Sequence, residues 1–280
     1  MSRQYFNPII QVENDSLFID EVGNWAESKY KILGLYCNIF TAAMKKKWSN
    51  MTYIDLFSGC GYSKLKDSNK IILGSPLITL SLPNKFTNYI FCEEIEEKYS
   101  ALKKRCEKII SEGVEIKILN GDCNKILDKI ESFIPNSNLS FCFVDPYNIE
   151  IDFQTISKLG EYKTDFLILL AIGMDAKRNF SYYLKENNNR IEKLLNNKQW
   201  REKFSLNYNK TNSDFTRFIA DEFNLRMKEI GYEEPEKFQS IRSTLKNLPL
   251  YHLAFYSKHP LGNKFWVQVK KYYDEQQTLF

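Results

Sequence analysis

Residues 53–61 read Tyr53-Ile54-Asp55-Leu56-Phe57-Ser58-Gly59-Cys60-Gly61, which is a short apolar strand followed by a glycine turn. Glycine at 59 and 61 permits a tight turn and lets a ligand approach the backbone without meeting a Cβ. Asp55 offers a carboxylate at the end of the strand. The stretch therefore predicts a Rossmann-type nucleotide site that includes Asp55, Phe57, Ser58, Gly59 and Gly61, with an ordinary strand-to-loop turn as the alternative.

Two later strand ends support the nucleotide interpretation. The apolar run 89–92 ends at Glu93, roughly 30 residues after the glycines, where a Rossmann unit presents an acid to a ribose diol. The alternating run 114–119 ends at Asn120-Gly121-Asp122-Cys123. We expect Asp122 to bind the adenine amine and Cys123 to line the same pocket through its backbone.

The fourth strand-like run, 139–144, leads into Asp145-Pro146-Tyr147. A target amine needs acceptors that hold its hydrogens, and the Asp145 carboxylate and a nearby carbonyl can do so. Pro146 removes a competing N–H donor, and Tyr147 offers a ring on which a base can stack. These three residues are the candidate catalytic set. The alternative is a plain turn, in which Asp-Pro is common.

In this order the motifs resemble a known family, the three-Cys-motif partner proteins, which look like class I S-adenosylmethionine-dependent methyltransferases. The resemblance spans roughly residues 20 to 270 and also includes Trp25, Lys29, Leu33 and Tyr36, residues 74–77, residues 250–253 and residues 257–262. It implies a methyltransferase-like fold that takes S-adenosylmethionine as cofactor. It also implies a functional companion, an iron-sulfur-type radical enzyme that carries the three cysteines of the family name.

Two departures from the family pattern leave the substrate open. Ser58-Gly59-Cys60-Gly61 is closer to the turn of DNA and RNA base methyltransferases, which favours cofactor binding. Asp145-Pro146-Tyr147 has one proline, unlike the Asp-Pro-Pro-Tyr of adenine-N6 enzymes, and more nearly resembles the Asp-Pro-Phe-Gly of tRNA guanine-N2 dimethyltransferases. We expect methylation of an exocyclic amine, with DNA or RNA as the substrate. The alternative is a non-catalytic cofactor-binding partner of the radical enzyme.

Two rival enzyme classes are disfavoured by the sequence. Residues 55–61 also resemble motif I of cytosine-C5 methyltransferases, but those enzymes need a Pro-Cys thiolate nucleophile, and the chain has no Pro-Cys dipeptide. An NAD-dependent oxidoreductase would need a third glycine in the turn, which is missing after Gly59-x-Gly61.

Composition indicates a globular protein with a sizeable core. The chain has 280 residues, 43% of them hydrophobic, and a net charge of +4, which permits nucleic-acid binding without requiring it. There is no membrane-length apolar run and no secretory signal pattern, so we expect a cytoplasmic protein without membrane association. The six cysteines form no Cys-x-x-Cys pair, and we expect no metal site.

The alternation of strands and helices along the chain predicts a parallel α/β fold with a helical insertion. The resemblance implies that this is a Rossmann-like class I methyltransferase sheet with an antiparallel final strand. We divide the chain into an N-terminal arm or lid (1–24), the Rossmann domain (25–174 and 247–280) and the insertion (175–246). Helices are predicted at 25–47, 96–112, 123–133 and 153–159, and a last hairpin at 251–256 and 265–269. Aromatic and basic residues of the insertion could either bind nucleic acid or form its own core.

Overall fold

The computed structural model describes residues 6–109, 113–172, 179–208, 211–233, 239–242 and 249–277. The chain divides into two units. The first runs to Phe143 and resumes at His259, and the second runs from Val144 to Lys258. Helices and strands are labelled below in chain order through both units.

The first unit holds the elements that carry the glycine turn. They are β1 (Gln11–Val12), β2 (Asp20–Val22), α1 (Trp25–Met44), β3 (Met51–Asp55), β4 (Tyr62–Leu65), β5 (Ile71–Leu73), α2 (Ser75–Leu80), β6 (Asn88–Glu93), α3 (Glu96–Glu107), β7 (Glu115–Asn120), α4 (Leu127–Glu131), β8 (Leu139–Val144) and α10 (Pro260–Gln277).

Four parallel strands of this unit form a sheet in the order β7-β6-β3-β8. Tyr53 on β3 lies opposite Tyr89 on β6 and Phe141 on β8. Counted along the chain, the order is third, second, first, fourth, so the direction of strand addition reverses at β3. Open α/β sheets bind ligands at the carboxyl ends of the strands beside such a reversal. The fold therefore selects the end of β3, where the glycine turn begins.

Helix α1 covers this sheet, as its apolar spacing predicts. Tyr36 stacks on Phe141 with ring centroids 4.8 Å apart, and Phe40 lies next to both rings. Helix α1 ends at Met44, three residues before the predicted end. Helix α10 packs against α1, and Lys31 Nζ lies 5.7 Å from the centre of the Tyr273 ring.

A second, small sheet has the order β1-β5-β4-β2. The chain after Gly61 enters the hairpin β4–β5 before it reaches α2, so the strands within residues 62–73 belong to this sheet. The N-terminal segment, predicted to be an arm or lid, contributes β1 and β2 to this sheet. Helix α2 begins at Ser75, and Gly74 is its N-cap residue.

The second unit contains the remaining elements. They are α5 (Phe153–Leu159), β9 (Thr164–Leu170), α6 (Phe180–Tyr183), α7 (Arg190–Leu195), α8 (Trp200–Asn207), α9 (Asn212–Glu229), β10 (Gln239–Arg242) and β11 (Pro249–Tyr256). Strand β11 pairs antiparallel with both β9 and β10.

The helices of the predicted insertion have a core of their own. Trp200, Phe204, Phe215 and Phe218 are all buried and in ring contact. Phe180 joins them, 5.0 Å from Phe215. The two predicted roles concerned Phe180, Tyr182 and Tyr183: Phe180 packs in this core and Tyr183 is buried, while Tyr182 is exposed. The basic residues 177 and 178 lie outside the described residues.

The predicted α/β fold class is confirmed, with a Rossmann-like parallel sheet, the antiparallel final strand β11 and the helices α6–α9. The predicted strand 265–269 is wrong, because this stretch lies inside α10. Its buried residues Trp266, Val269 and Tyr273 recur at helical spacing while Val267 is exposed. The hairpin partner of β11 is β10, within a region predicted to be wholly helical. Helix α4 is also shorter than predicted. The predicted domain boundaries at 174/175 and 246/247 fall outside the described residues.

Candidate cofactor site

The glycine turn that follows β3 uses left-handed backbone at both glycines, with φ of +63° at Gly59 and +87° at Gly61. A Cβ on Gly61 would lie 3.1 Å from a methyl carbon of Leu77 and of Leu102. At Gly59 the nearest side-chain atom to such a Cβ would be an Asp20 carboxylate oxygen at 3.6 Å. Glycine is thus needed for both conformation and packing at 61, and chiefly for conformation at 59.

Asp55 orders the start of the turn. Its side chain is 0% exposed. One carboxylate oxygen accepts the Tyr53 hydroxyl proton at 3.0 Å, and the other accepts the Phe57 N–H at 3.3 Å. The Ser58 hydroxyl donates to the Asp55 carbonyl at 3.0 Å, and Ser58 N–H donates to the Cys92 carbonyl at 2.8 Å. Asp55 and Ser58 therefore direct the backbone of residues 55–58.

Glu93 joins the end of β6 to the glycine turn. One carboxylate oxygen accepts the Gly59 N–H at 2.8 Å, and the other accepts the Ile95 N–H at 2.9 Å. The side chain is 8% exposed. Burial raises the pKa of Glu93, while the two N–H donors and the Lys98 ammonium oppose that rise. A carboxylate oxygen can accept more than one hydrogen bond, so both oxygens can still accept from a ligand hydroxyl.

Asp122 follows β7 at the next strand end. Gly121 N–H donates to the Glu93 carbonyl at 3.0 Å, with Gly121 at φ +144°. One Asp122 oxygen accepts the Asn124 N–H at 3.0 Å, and the other pairs with Lys125 at 3.2 Å. Asp122 is half-buried, whereas Cys123 is buried. The structure thus brings residues 121–123 to the same strand ends as Glu93.

Asp145, Pro146 and Tyr147 follow β8 directly and lie near the start of the second unit, which begins at Val144. Asp145 is half-buried and Pro146 is buried. Tyr147 is 80% exposed, which leaves most of its ring accessible to solvent. Two of the three side chains therefore have surface that a substrate could contact.

The structure adds residues that the sequence analysis did not select. Ile95 lies two residues after Glu93 and is 46% exposed. Asp20 pairs with Lys98 at 2.9 Å beside the turn, and Arg105 is buried against it. Lys98 and Arg105 are seven residues apart on α3, and in the sequence only this spacing indicates that the two basic side chains lie on one face of the helix. Their acidic partners could not be found from the sequence, because they depend on where the N-terminal segment packs.

The six cysteines are all buried, and none of them forms a disulfide. Burial raises the pKa of Cys106 to about 12, and it also raises that of Cys37, Cys92 and Cys142. Within the described part of the chain, no cluster of three or more His, Cys, Asp or Glu side chains could hold a metal ion. In the same part, no helix combines the length and apolarity that crossing a membrane requires.

Comparisons with known proteins yield structural similarity alone. No protein-family model matches the chain, and no curated protein is significantly similar to it. The chain is similar to protein LPL1258 from Legionella pneumophila, with 12% identity, a TM-score of 0.47 and coverage of 86% of this chain and 91% of that chain. It is similar to Trm1 from Pyrococcus horikoshii, solved with S-adenosyl-L-methionine, with 11% identity, a TM-score of 0.44 and coverage of 94% and 62%.

A protein from Porphyromonas gingivalis W83 is matched with 17% identity and a TM-score of 0.32, over 48% of this chain and 31% of that chain. The chain therefore spans less than two thirds of the length of this protein and of Trm1. Class I S-adenosylmethionine-dependent methyltransferases are among the similar structures. Similarity of this extent assigns neither an activity nor a substrate to this chain.

Proposed function

We propose that this protein is an S-adenosylmethionine-dependent methyltransferase that acts on an exocyclic amine of a nucleic-acid base. The observation that carries the proposal is the hydrogen bond from Gly59 N–H to the Glu93 carboxylate, 2.8 Å long. It joins the glycine turn at the end of β3 to the acid at the end of β6. A Rossmann-type site requires this arrangement, in which the turn binds a nucleoside and the neighbouring acid binds the ribose of that nucleoside.

The residues of the first unit fit an adenosine-containing cofactor. Glu93 has acceptor capacity for a ribose diol, and Asp122 has it for the adenine amine. Ile95, 46% exposed, supplies an apolar surface for the adenine ring. Cys123 contributes its backbone to the same pocket. The methionine part of the cofactor would lie along the turn that Asp55, Phe57, Ser58, Gly59 and Gly61 form.

Asp145, Pro146 and Tyr147 are the proposed catalytic residues. Bound S-adenosylmethionine supplies an electrophilic methyl group. The Asp145 carboxylate and the Pro146 carbonyl would accept the hydrogens of the target amine and aim its lone pair. The exposed Tyr147 ring would stack on the base. Acceleration would come mainly from this positioning.

A nucleic-acid substrate is supported by surface chemistry in the second unit. Tyr182 is exposed, and Lys185 Nζ lies 5.9 Å from the centre of its ring. An aromatic face next to an ammonium group suits a base and its phosphate. A base in a duplex would have to leave the stack, so the helices α6–α9 would then hold the strand. None of the six cysteines forms a disulfide, which suits a reducing compartment, and we place the protein in the cytoplasm.

Calorimetric titration with S-adenosylmethionine and S-adenosylhomocysteine tests the cofactor site. We expect binding at roughly micromolar affinity, about 8 kcal/mol. Glu93→Gln, Asp55→Ala and Asp122→Ala should weaken it. Glu94→Gln is the matched control, because it removes the same charge from an exposed neighbour and should leave the affinity unchanged. Absence of binding to the folded wild-type protein would refute the proposed cofactor.

Asp145→Ala tests the catalytic role. We expect methyl transfer from labelled cofactor to nucleic acid to be abolished, while cofactor affinity stays close to that of the wild type. The assay should compare unmodified DNA and RNA as acceptors. Loss of cofactor binding in parallel with transfer would contradict a role limited to the target amine.

The second candidate is a non-catalytic cofactor-binding partner of a three-Cys-motif radical enzyme. It is supported by the resemblance to the partner family, whereas the single proline in Asp145-Pro146-Tyr147-Asn148 favours neither candidate strongly. Co-purification of a stable complex with such an enzyme, without any methylated product from this chain alone, would favour this candidate over the first.

A further inference from the structure

Arg105 on α3 contacts both the N-terminal segment and the glycine turn. The side chain is 1% exposed. Its Nε and Nη2 donate to the two carboxylate oxygens of Asp15, at 2.9 and 2.6 Å. Its Nη1 donates to the Phe18 carbonyl at 2.9 Å and to the Cys60 carbonyl at 2.6 Å. The guanidinium also lies 4.0 Å from the centre of the Tyr62 ring.

The contact with Cys60 acts at the centre of the turn. The Cys60 carbonyl belongs to the peptide between Cys60 and Gly61, and a trans peptide points its N–H opposite to its carbonyl. Arg105 therefore sets the direction of the Gly61 N–H. The neighbouring groups are held by other residues, since Gly59 N–H donates to Glu93 and Gly74 N–H donates to the Gly61 carbonyl at 2.7 Å.

A second ion pair attaches the same N-terminal segment to the same helix. Lys98 lies seven residues before Arg105, which is two helical turns and thus the same face of α3. Its ammonium pairs with Asp20 at 2.9 Å. The other Asp20 oxygen is the atom nearest to a Cβ placed on Gly59. Segment 15–20 is thus held at both ends beside the turn.

We propose that Arg105 is a positioning residue for the turn 58–61, and that segment 15–20 is part of the cofactor site. The inference rests on the function proposed above. A bidentate, buried guanidinium fixes geometry that a single ammonium cannot reproduce. Asp15 holds the guanidinium in place through both of its carboxylate oxygens. Without Asp15 the guanidinium would no longer be fixed, the Cys60 carbonyl would lose its donor, and the peptide that faces the ligand would become disordered. The competing explanation is an ion pair that stabilises the fold without affecting binding.

The test compares Arg105→Lys and Asp15→Asn with the control Glu21→Gln. Glu21 lies on β2 and pairs with Lys64 at 3.0 Å, so the control breaks an exposed ion pair of the same small sheet. S-adenosylhomocysteine affinity is measured by calorimetry well below the melting temperature. We expect about tenfold weaker binding for each test variant and no change for the control. The double variant should weaken binding no further than the stronger single variant.

Hydrogen exchange of the peptide that covers residues 56–64 provides a readout without ligand. Both test variants should exchange faster there than the wild type and the control. Unchanged affinity alongside a lowered melting temperature would overturn the proposal and leave a structural ion pair. If the wild type does not bind the cofactor, the proposed function fails, and unchanged exchange in residues 56–64 would then overturn the positioning role as well. Asp15→Asn retains the arginine, so the test stands if Arg105→Lys does not fold.

Discussion

Gly61→Ala should destabilise the protein more than any backbone preference alone explains. Gly61 has φ of +87°, and a Cβ there would lie 3.1 Å from methyl carbons of Leu77 and Leu102 and 3.3 Å from Leu77 Cγ. The substitution therefore combines a left-handed backbone with a crowded site. Gly113 has φ of +81° with no atom within 4 Å of the corresponding Cβ, so it separates the two effects.

The magnitudes follow from these two environments. A left-handed conformation costs an L-residue about 1–2 kcal/mol. Forcing an extra methyl group into a packed site costs about 1–3 kcal/mol more. Gly61→Ala should thus lower the free energy of unfolding by about 2–5 kcal/mol, and Gly113→Ala by about 1–2 kcal/mol. The entropy that alanine removes from the unfolded chain is the same in both variants and cancels in their difference.

Urea unfolding monitored by far-UV circular dichroism measures both values. Equal slopes for the two variants would show that their unfolding exposes the same surface. Equal destabilisation by the two substitutions would refute the packing argument at Gly61. If Gly61→Ala is destabilised but keeps its S-adenosylhomocysteine affinity, Gly61 does not contribute to the proposed cofactor site.

Three further predictions concern titratable groups. Arg105 lowers the pKa of Asp15. Asp15 therefore stabilises the fold above its unfolded pKa of 3.8, and this stabilisation is lost as the pH falls. In Asp15→Asn the melting temperature should decline less at acid pH than in the wild type. Burial raises the pKa of Glu93, so its contribution to stability is greatest below its unfolded pKa of 4.5 and is lost as the pH rises. Between pH 4.5 and neutrality, the melting temperature of Glu93→Gln should therefore fall less steeply with pH than that of the wild type. All six cysteines are buried, and burial raises the pKa of five of them, Cys37, Cys60, Cys92, Cys106 and Cys142, which disfavours their thiolates. A thiol reagent should therefore label the native protein slowly and the urea-unfolded protein at once.

The strand ends of the first unit could be predicted because each signal is local. Residues 51–55, 88–93 and 139–144 are apolar runs that end at a carboxylate or just before one, and all three are buried strands. Parallel strands place their carboxyl ends at one edge of a sheet, so the meeting of Asp55 and Glu93 follows from the pattern. Helix α10 could not be recognised in the same way, since a short apolar run such as 265–269 fits a strand and a helix equally well.

The amino-acid sequence by itself determined the strand-to-turn motif, the positions of the strand-end carboxylates and the α/β class, because these depend on residue type and spacing along a few neighbouring positions. Only the tertiary structure decided which groups hold the turn. The hydrogen bond from Gly59 to Glu93 spans 34 residues, and the ion pair of Arg105 with Asp15 spans 90. Such partners are selected by how the N-terminal segment and α3 pack beside the sheet, and no local pattern records that packing.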